Sequence, residues 1–359
     1  TAKSRAILAR DDPSLPTHAN SGIFTENAAC RSPASSKRIF MNLILRSLRK
    51  VGVMVFLVVL CAFLAARQPE FLSVDNLKDV LVQISGIAIA AVGMTLVILT
   101  AGIDLSVGSV LALSGCAGAL VGLKLGELAP AFIAVPSGFL AAVAVGSLCG
   151  AANGVMITKF PLPPFIATLG VMGVARGLAY YICHSSPVQV TSGMRQIALA
   201  RPAGIPFPIV IMLAIYLLGW LMLQHTRFGR NAYAIGGNEE AARLSGIRIH
   251  SSKILVYTIT GALSAVSGLI VAGRLAWMMP QEGDGFELDV IAAVVIGGTS
   301  LSGGQGSVVG TLLGALIMGV VRNGLNLMAV DYNVQKVVIG GIIIAAVSVD
   351  VFAKRFGRR

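Results

Sequence analysis

Few residues in this sequence have the types and spacing that reaction chemistry needs. The four histidines (His18, His184, His225, His250) are scattered, and no pair has metal-ligand spacing. The five cysteines stand singly, with no CxxC, and read as packing residues. No G-x-x-x-x-G-K-[ST] loop is present to cradle a nucleotide phosphate. What remains are three charged residues in or beside long apolar runs: Asp104, Arg176 and Arg322. An arginine at such depth costs roughly 2.5–3.5 kcal/mol, so each must snorkel, pair or face water. Asp104, in a glycine-flanked break, either caps the following helix or touches a transport path or partner.

The most distinctive polar stretch is a loop over 224–253. Asn238 suits a helix N-cap, and Glu239 and Glu240 fall in the first turn, where negative charge complements the helix dipole. Gly246 is a suitable stop. A helix of about two turns is expected there, and its small residues Ala241 and Ala242 would let another protein approach closely.

The elements that must hold this loop are apolar. Hydrophobic residues make up 55% of the chain and charged ones 12%, about half the charge of a soluble domain, and the mean hydropathy is +0.82. Ten apolar segments can be drawn, at about 51–66, 79–101, 108–123, 131–157, 163–183, 209–223, 254–276, 288–300, 306–329 and 335–352, the eighth short enough for a half-span. The expected fold is an all-α polytopic membrane protein of eight to ten spans. With ten, both termini and the loop 224–253 share one side. Basic residues on that side outnumber those opposite by about two to one, which makes it cytoplasmic. The net charge of +12 therefore reads as an orientation signal, and nucleic acid is excluded as a partner. Residues 41–359 form the membrane domain. Residues 1–40, polar and without periodicity, read as a disordered tail or as a stretch foreign to the native protein.

Small residues recur at helical spacing (Gly146, Gly150 and Gly154; Gly118 and Gly122; Gly173 and Gly177; Gly310 and Gly314), as expected where helices associate in lipid. There is also an internal echo. Gly102-Ile-Asp-Leu-Ser-Val-Gly-Ser-Val110 resembles the stretch from Gly298 to Val308, apart from two extra residues. Each follows one apolar run and precedes another, the pattern of two pseudo-repeated halves, with chance convergence of Gly-Ser turns as the alternative.

Glu240-Ala-Ala-x-x-x-Gly246 resembles the EAA motif of ABC importer permeases. The strings 236–247, 92–109 and 287–301 are similar to the ribose-type sugar permeases, a likeness running from about 51 to 352. The Ile-x-Leu-Pro ending of the fuller motif is absent. The resemblance implies an ABC importer permease fold in the bacterial inner membrane, without a cofactor of its own. It implies an ABC ATPase subunit coupled through Gly236, Gly237, Asn238, Glu239, Glu240, Ala241, Ala242 and Gly246. It also implies a second permease copy and a periplasmic sugar-binding protein. Arg195 and Arg201, in the external stretch 185–208, and Arg274 are candidates for docking acidic residues of that protein.

Leu301-Ser-Gly-Gly-Gln305 matches the signature of ABC ATPases letter for letter. Without a phosphate loop before it or an acidic strand soon after, it reads as a glycine-rich turn, and the ATP chemistry lies on another polypeptide. The competing reading is a stand-alone secondary transporter or channel for a small polar solute. The EAA-like loop and the lack of an acidic relay through the spans favour the importer.

Overall fold

The computed structural model describes residues 52–357, and side chains up to 348. The expected tail over 1–40 and the basic stretch before the first span lie outside the described residues. All ten apolar segments are helices. They are α1 (Gly52–Arg67), α2 (Val74–Leu99), α3 (Val107–Leu128), α4 (Ala131–Lys159), α5 (Pro164–Ile182), α7 (Phe207–His225), α10 (Ile249–Leu275), α11 (Phe286–Ile296), α12 (Val308–Leu327) and α13 (Tyr332–Gly357). Seven of them, α2, α3, α4, α5, α7, α10 and α12, are long and apolar enough to cross a membrane. At 11 residues α11 spans about 16 Å, half a bilayer core.

Three further helices were not drawn from the apolar runs: α6 (Ser192–Leu199), α8 (Arg227–Gly237) and α9 (Glu239–Leu244). Strand β1 (Val188–Gln189) pairs antiparallel with β2 (Trp277–Met278), clipping the segment after α5 to the segment after α10.

The bundle is arranged around α2. Every residue from Ile84 to Leu99 is buried, and the sequence there is apolar on all sides, as an enclosed helix requires. Ser73 caps its start by accepting from the Asn76 amide. Asn76 and Asn323 then exchange side-chain hydrogen bonds of 3.1 and 2.8 Å, fixing the start of α2 to the end of α12.

Helix α4 reaches α10 through glycine. A Cβ on Gly150 would stand 2.1 Å from the Tyr257 carbonyl oxygen, and one on Gly261 would stand 2.0 Å from that of Gly146. Here the small residues bring backbone against backbone. The Gly173 and Gly177 pair on α5 differs: among the described residues, a Cβ on either would meet no neighbouring element within 4 Å.

Gly150→Val is expected to separate α4 from α10 and remove most folded protein from the membrane, whereas Gly170→Val, in open space, should leave its level near wild type. Fluorescence-detected size exclusion of solubilised membranes reads both.

Candidate coupling site

Helix α9 begins as its sequence directs. Asn238 Oδ1 accepts from the Ala241 amide at 3.0 Å. Glu240 pairs with Arg243 one turn on, and Glu239 meets Lys253 of α10 at 2.6 Å. Gly246 ends the turn at φ +80°, a backbone that other residues adopt with strain, while the Ile247 amide returns to the Ala242 carbonyl.

The two alanines do different things. Ala241 is exposed, but Ala242 is buried against Ile235 and Ile249, so it packs α9 onto its own chain rather than onto a partner. The outward surface carries Leu244, 80% exposed, a residue the sequence reading passed over.

Helix α8 was also missed, although its signals were present. Thr226 caps it by accepting from the Gly229 amide, and Phe228, Ala232 and Ile235 recur at helical spacing. Its far end explains Gly236. A Cβ there would lie 1.7 Å from the Leu99 carbonyl oxygen and 2.5 Å from the Gly304 nitrogen. Gly236 therefore acts inward, as the point where the loop touches the spans, while Gly237 has open space at its Cβ position. Tyr233 adds a hydrogen bond from its hydroxyl to the Gly306 carbonyl at 2.9 Å.

Leu99 is the last residue of α2, directly before the echoing break at 100–106, and Gly304 lies in the second break, at 297–307. The Gly304 amide donates to the Leu99 carbonyl at 2.9 Å, so the breaks join directly and lie at one level. Both are partly enclosed: Thr100, Asp104, Ser106, Thr299 and Ser300 are buried, while Ala101, Gly298 and Ser302 are exposed. Asp104 Oδ1 accepts from the Ser106 amide and hydroxyl at 2.9 and 2.6 Å, closing the turn ahead of α3, and Asn153 of α4 donates to that hydroxyl.

This chain matches the profile of a family described as branched-chain amino acid transport system / permease component, over residues 76–347. It belongs to that family. Among curated relatives, the ribose import permease protein of Escherichia coli (strain K12) is 47% identical over 83% of this chain and 92% of its own length. The ribose import permease protein of Bacillus subtilis (strain 168) is 42% identical over 84% and 93%. The D-allose transport system permease protein of Escherichia coli (strain K12) is 37% identical over 89% and 96%. The permease is thus a multi-pass membrane protein and a transport component rather than an enzyme.

The candidate arginines lie toward the other ends of the helices. Arg176 of α5 donates to the Pro280 and Glu282 carbonyls and pairs with Asp284 at 2.7 Å, tying α5 to the segment before α11. Burial pushes the Glu282 carboxyl up, and Arg176 pulls it back down. Arg322 of α12 pairs with Asp289 of α11 at 2.7 Å. Arg195 and Arg201 are exposed, and Arg195 lines an open groove with Gln189, Ser192 and Gln196. Arg274 is half-buried and lines a different cavity, with α2, α11 and α12. The three candidate docking arginines are therefore not one surface.

Gly236→Ala is expected to push α8 off its seat and abolish solute uptake at unchanged membrane levels, while Gly237→Ala keeps at least half of it. Uptake normalised to immunoblotted protein distinguishes the two.

Proposed function

We propose that the permease is the membrane-spanning subunit of an ATP-driven importer that moves a monosaccharide, ribose-like in size, across the inner membrane. The observation that carries this reading is a short exposed helix, α9, whose neighbour α8 rests directly on both helix breaks. An ATPase partner docking on Ala241 and Leu244 would move α9, and Gly236 would pass the displacement to Leu99 and Gly304. The names of the relatives, ribose and D-allose permeases, support a pentose or hexose as cargo.

The partners in this reading are an ABC ATPase subunit, a periplasmic sugar-binding protein and a second copy of the permease. The α8–α9 side is cytoplasmic, as are both termini, on the distribution of basic residues. Arg195 and Arg201 are the outer-face candidates for the acidic rim of the binding protein, since their guanidinium groups are open to solvent. Arg274 is left out of that role by its half-buried position.

Two experiments test the partner surfaces. Leu244→Asp should lower ATPase co-purification at least tenfold, because burying a leucine contributes about 1.5–3 kcal/mol and each 1.4 kcal/mol is a factor of ten. Retained ATPase with normal uptake would refute α9 as the docking helix. On the other face, Arg195→Glu with Arg201→Glu should weaken binding-protein affinity at low salt, with the difference shrinking as salt rises. Equal affinity at low salt would show that these arginines do not dock it.

A further inference from the structure

At the ends of the helices farthest from the breaks lies a cavity of about 180 Å³ lined by Gln83, Ile84, Ile87, Arg274, Asp289, Met318, Gly319 and Arg322. At roughly 30 Å³ of liquid volume per water it has room for about six waters, the space of one sugar ring. Four helices form it: Gln83 lies nine residues into α2, Arg274 is next to last in α10, Asp289 falls in the first turn of α11, and Arg322 lies five residues before the end of α12.

The lining is amphipathic in the way a sugar is. Ile84, Ile87 and Met318 offer an apolar wall to ring carbons, and the other side presents an amide, a carboxylate and two guanidinium groups to hydroxyls. Gln83 is exposed and has no hydrogen-bond partner among the described residues, although nine residues of helix place it about 14 Å from the start of α2. A primary amide at that depth needs a polar neighbour. Among the described residues Arg274 makes one long hydrogen bond, 3.4 Å to the Val82 carbonyl, with the Asp79 charge nearby, which leaves most of its donors open to a ligand. Asp289 and Arg322 hold each other at 2.7 Å, which offsets their charges and still leaves acceptor and donor positions for vicinal hydroxyls.

We infer that this cavity is a station for the monosaccharide inside the permease, where Gln83, Asp289 and Arg322 take the place of water on its hydroxyls. The inference rests on the importer reading above and adds the residues that touch the cargo. The same α2 and α12 that wall the cavity run on to the breaks and meet on the way, Thr95 Oγ1 to Thr311 Oγ1 at 2.8 Å. Movement of the breaks therefore reaches the cavity through two helices already joined.

The test uses the whole importer, permease with its ATPase and binding protein, in proteoliposomes, with radiolabelled D-ribose uptake and ATP hydrolysis measured together. Gln83→Leu keeps the side chain's bulk and removes no hydrogen bond to a described residue. It is expected to lower sugar delivered per ATP about tenfold, the factor carried by one unmade hydrogen bond, while hydrolysis stimulated by the loaded binding protein stays within about twofold of wild type. Gln83→Asn should recover part of the loss. Sugar per ATP equal to wild type, or uptake and hydrolysis falling together, would overturn the inference. A wild-type complex that moves no ribose, allose or arabinose would instead sink the importer reading, so the two failures are told apart by the control.

Discussion

The hydrogen bond from the Gly304 amide to the Leu99 carbonyl joins two interrupted helices, and the site depends on it. A helix end leaves amides and carbonyls without intrahelical partners, and where the end is buried each must find a partner elsewhere. The permease has two such interruptions, after α2 and after α11, and they partly satisfy each other. Their contact also makes the seat for α8, because Gly236 lies against both members of that hydrogen bond. One backbone contact thus meets a solvation requirement and links the loop to the spans.

The consequences follow along α2 and α12. Both leave the seat, meet at Thr95 and Thr311, and are tied again at their other ends by Asn76 and Asn323. In an apolar medium these few polar contacts specify register where packing of Leu, Ile and Val does not. At the end away from α8 two ion pairs add to these contacts, Arg176 with Asp284 and Arg322 with Asp289. Each holds α5 or α12 to α11 or the segment before it. Helix α11, too short to span alone, is therefore held at one end by charge and at the other by the break.

Much of this was legible in the sequence, for identifiable reasons. Ten apolar runs became ten helices because period and length are dictated by the membrane. Asn238, Glu239 and Gly246 took the expected cap, first-turn and stop positions because those preferences are local. What escaped was non-local. Gly236 was grouped with outward coupling residues, yet its role comes from Leu99 and Gly304, which no spacing rule connects to it. Ala242 turned inward because Ile235 and Ile249 enclose it. Arg274 seemed to share a face with Arg195 and Arg201 because all three lie near external segments, but α10 turns it toward α2. The spacing Gly173-xxx-Gly177 looked like Gly146-xxx-Gly150, and only the fold shows that the second pair touches another helix of the chain and the first does not.

The stretch from Leu301 to Gln305 carries that lesson furthest. In an ATPase those letters present free backbone amides to a phosphate. Here the Gly303 amide donates to the Ser300 carbonyl, the Gly304 amide to Leu99, and the Ser302 amide to the Ser300 hydroxyl at 3.2 Å. The positive φ values of Gly303 and Gly304, +80° and +69°, bring the chain against Ala101 and Gly237. With the amides of Ser302, Gly303 and Gly304 committed and both glycines in contact with the other break and with α8, these three donors cannot reach a nucleotide without dismantling the joint between the breaks. The three central amides of this turn already have partners within the permease, and a motif's meaning rests on which of its donors the fold leaves free.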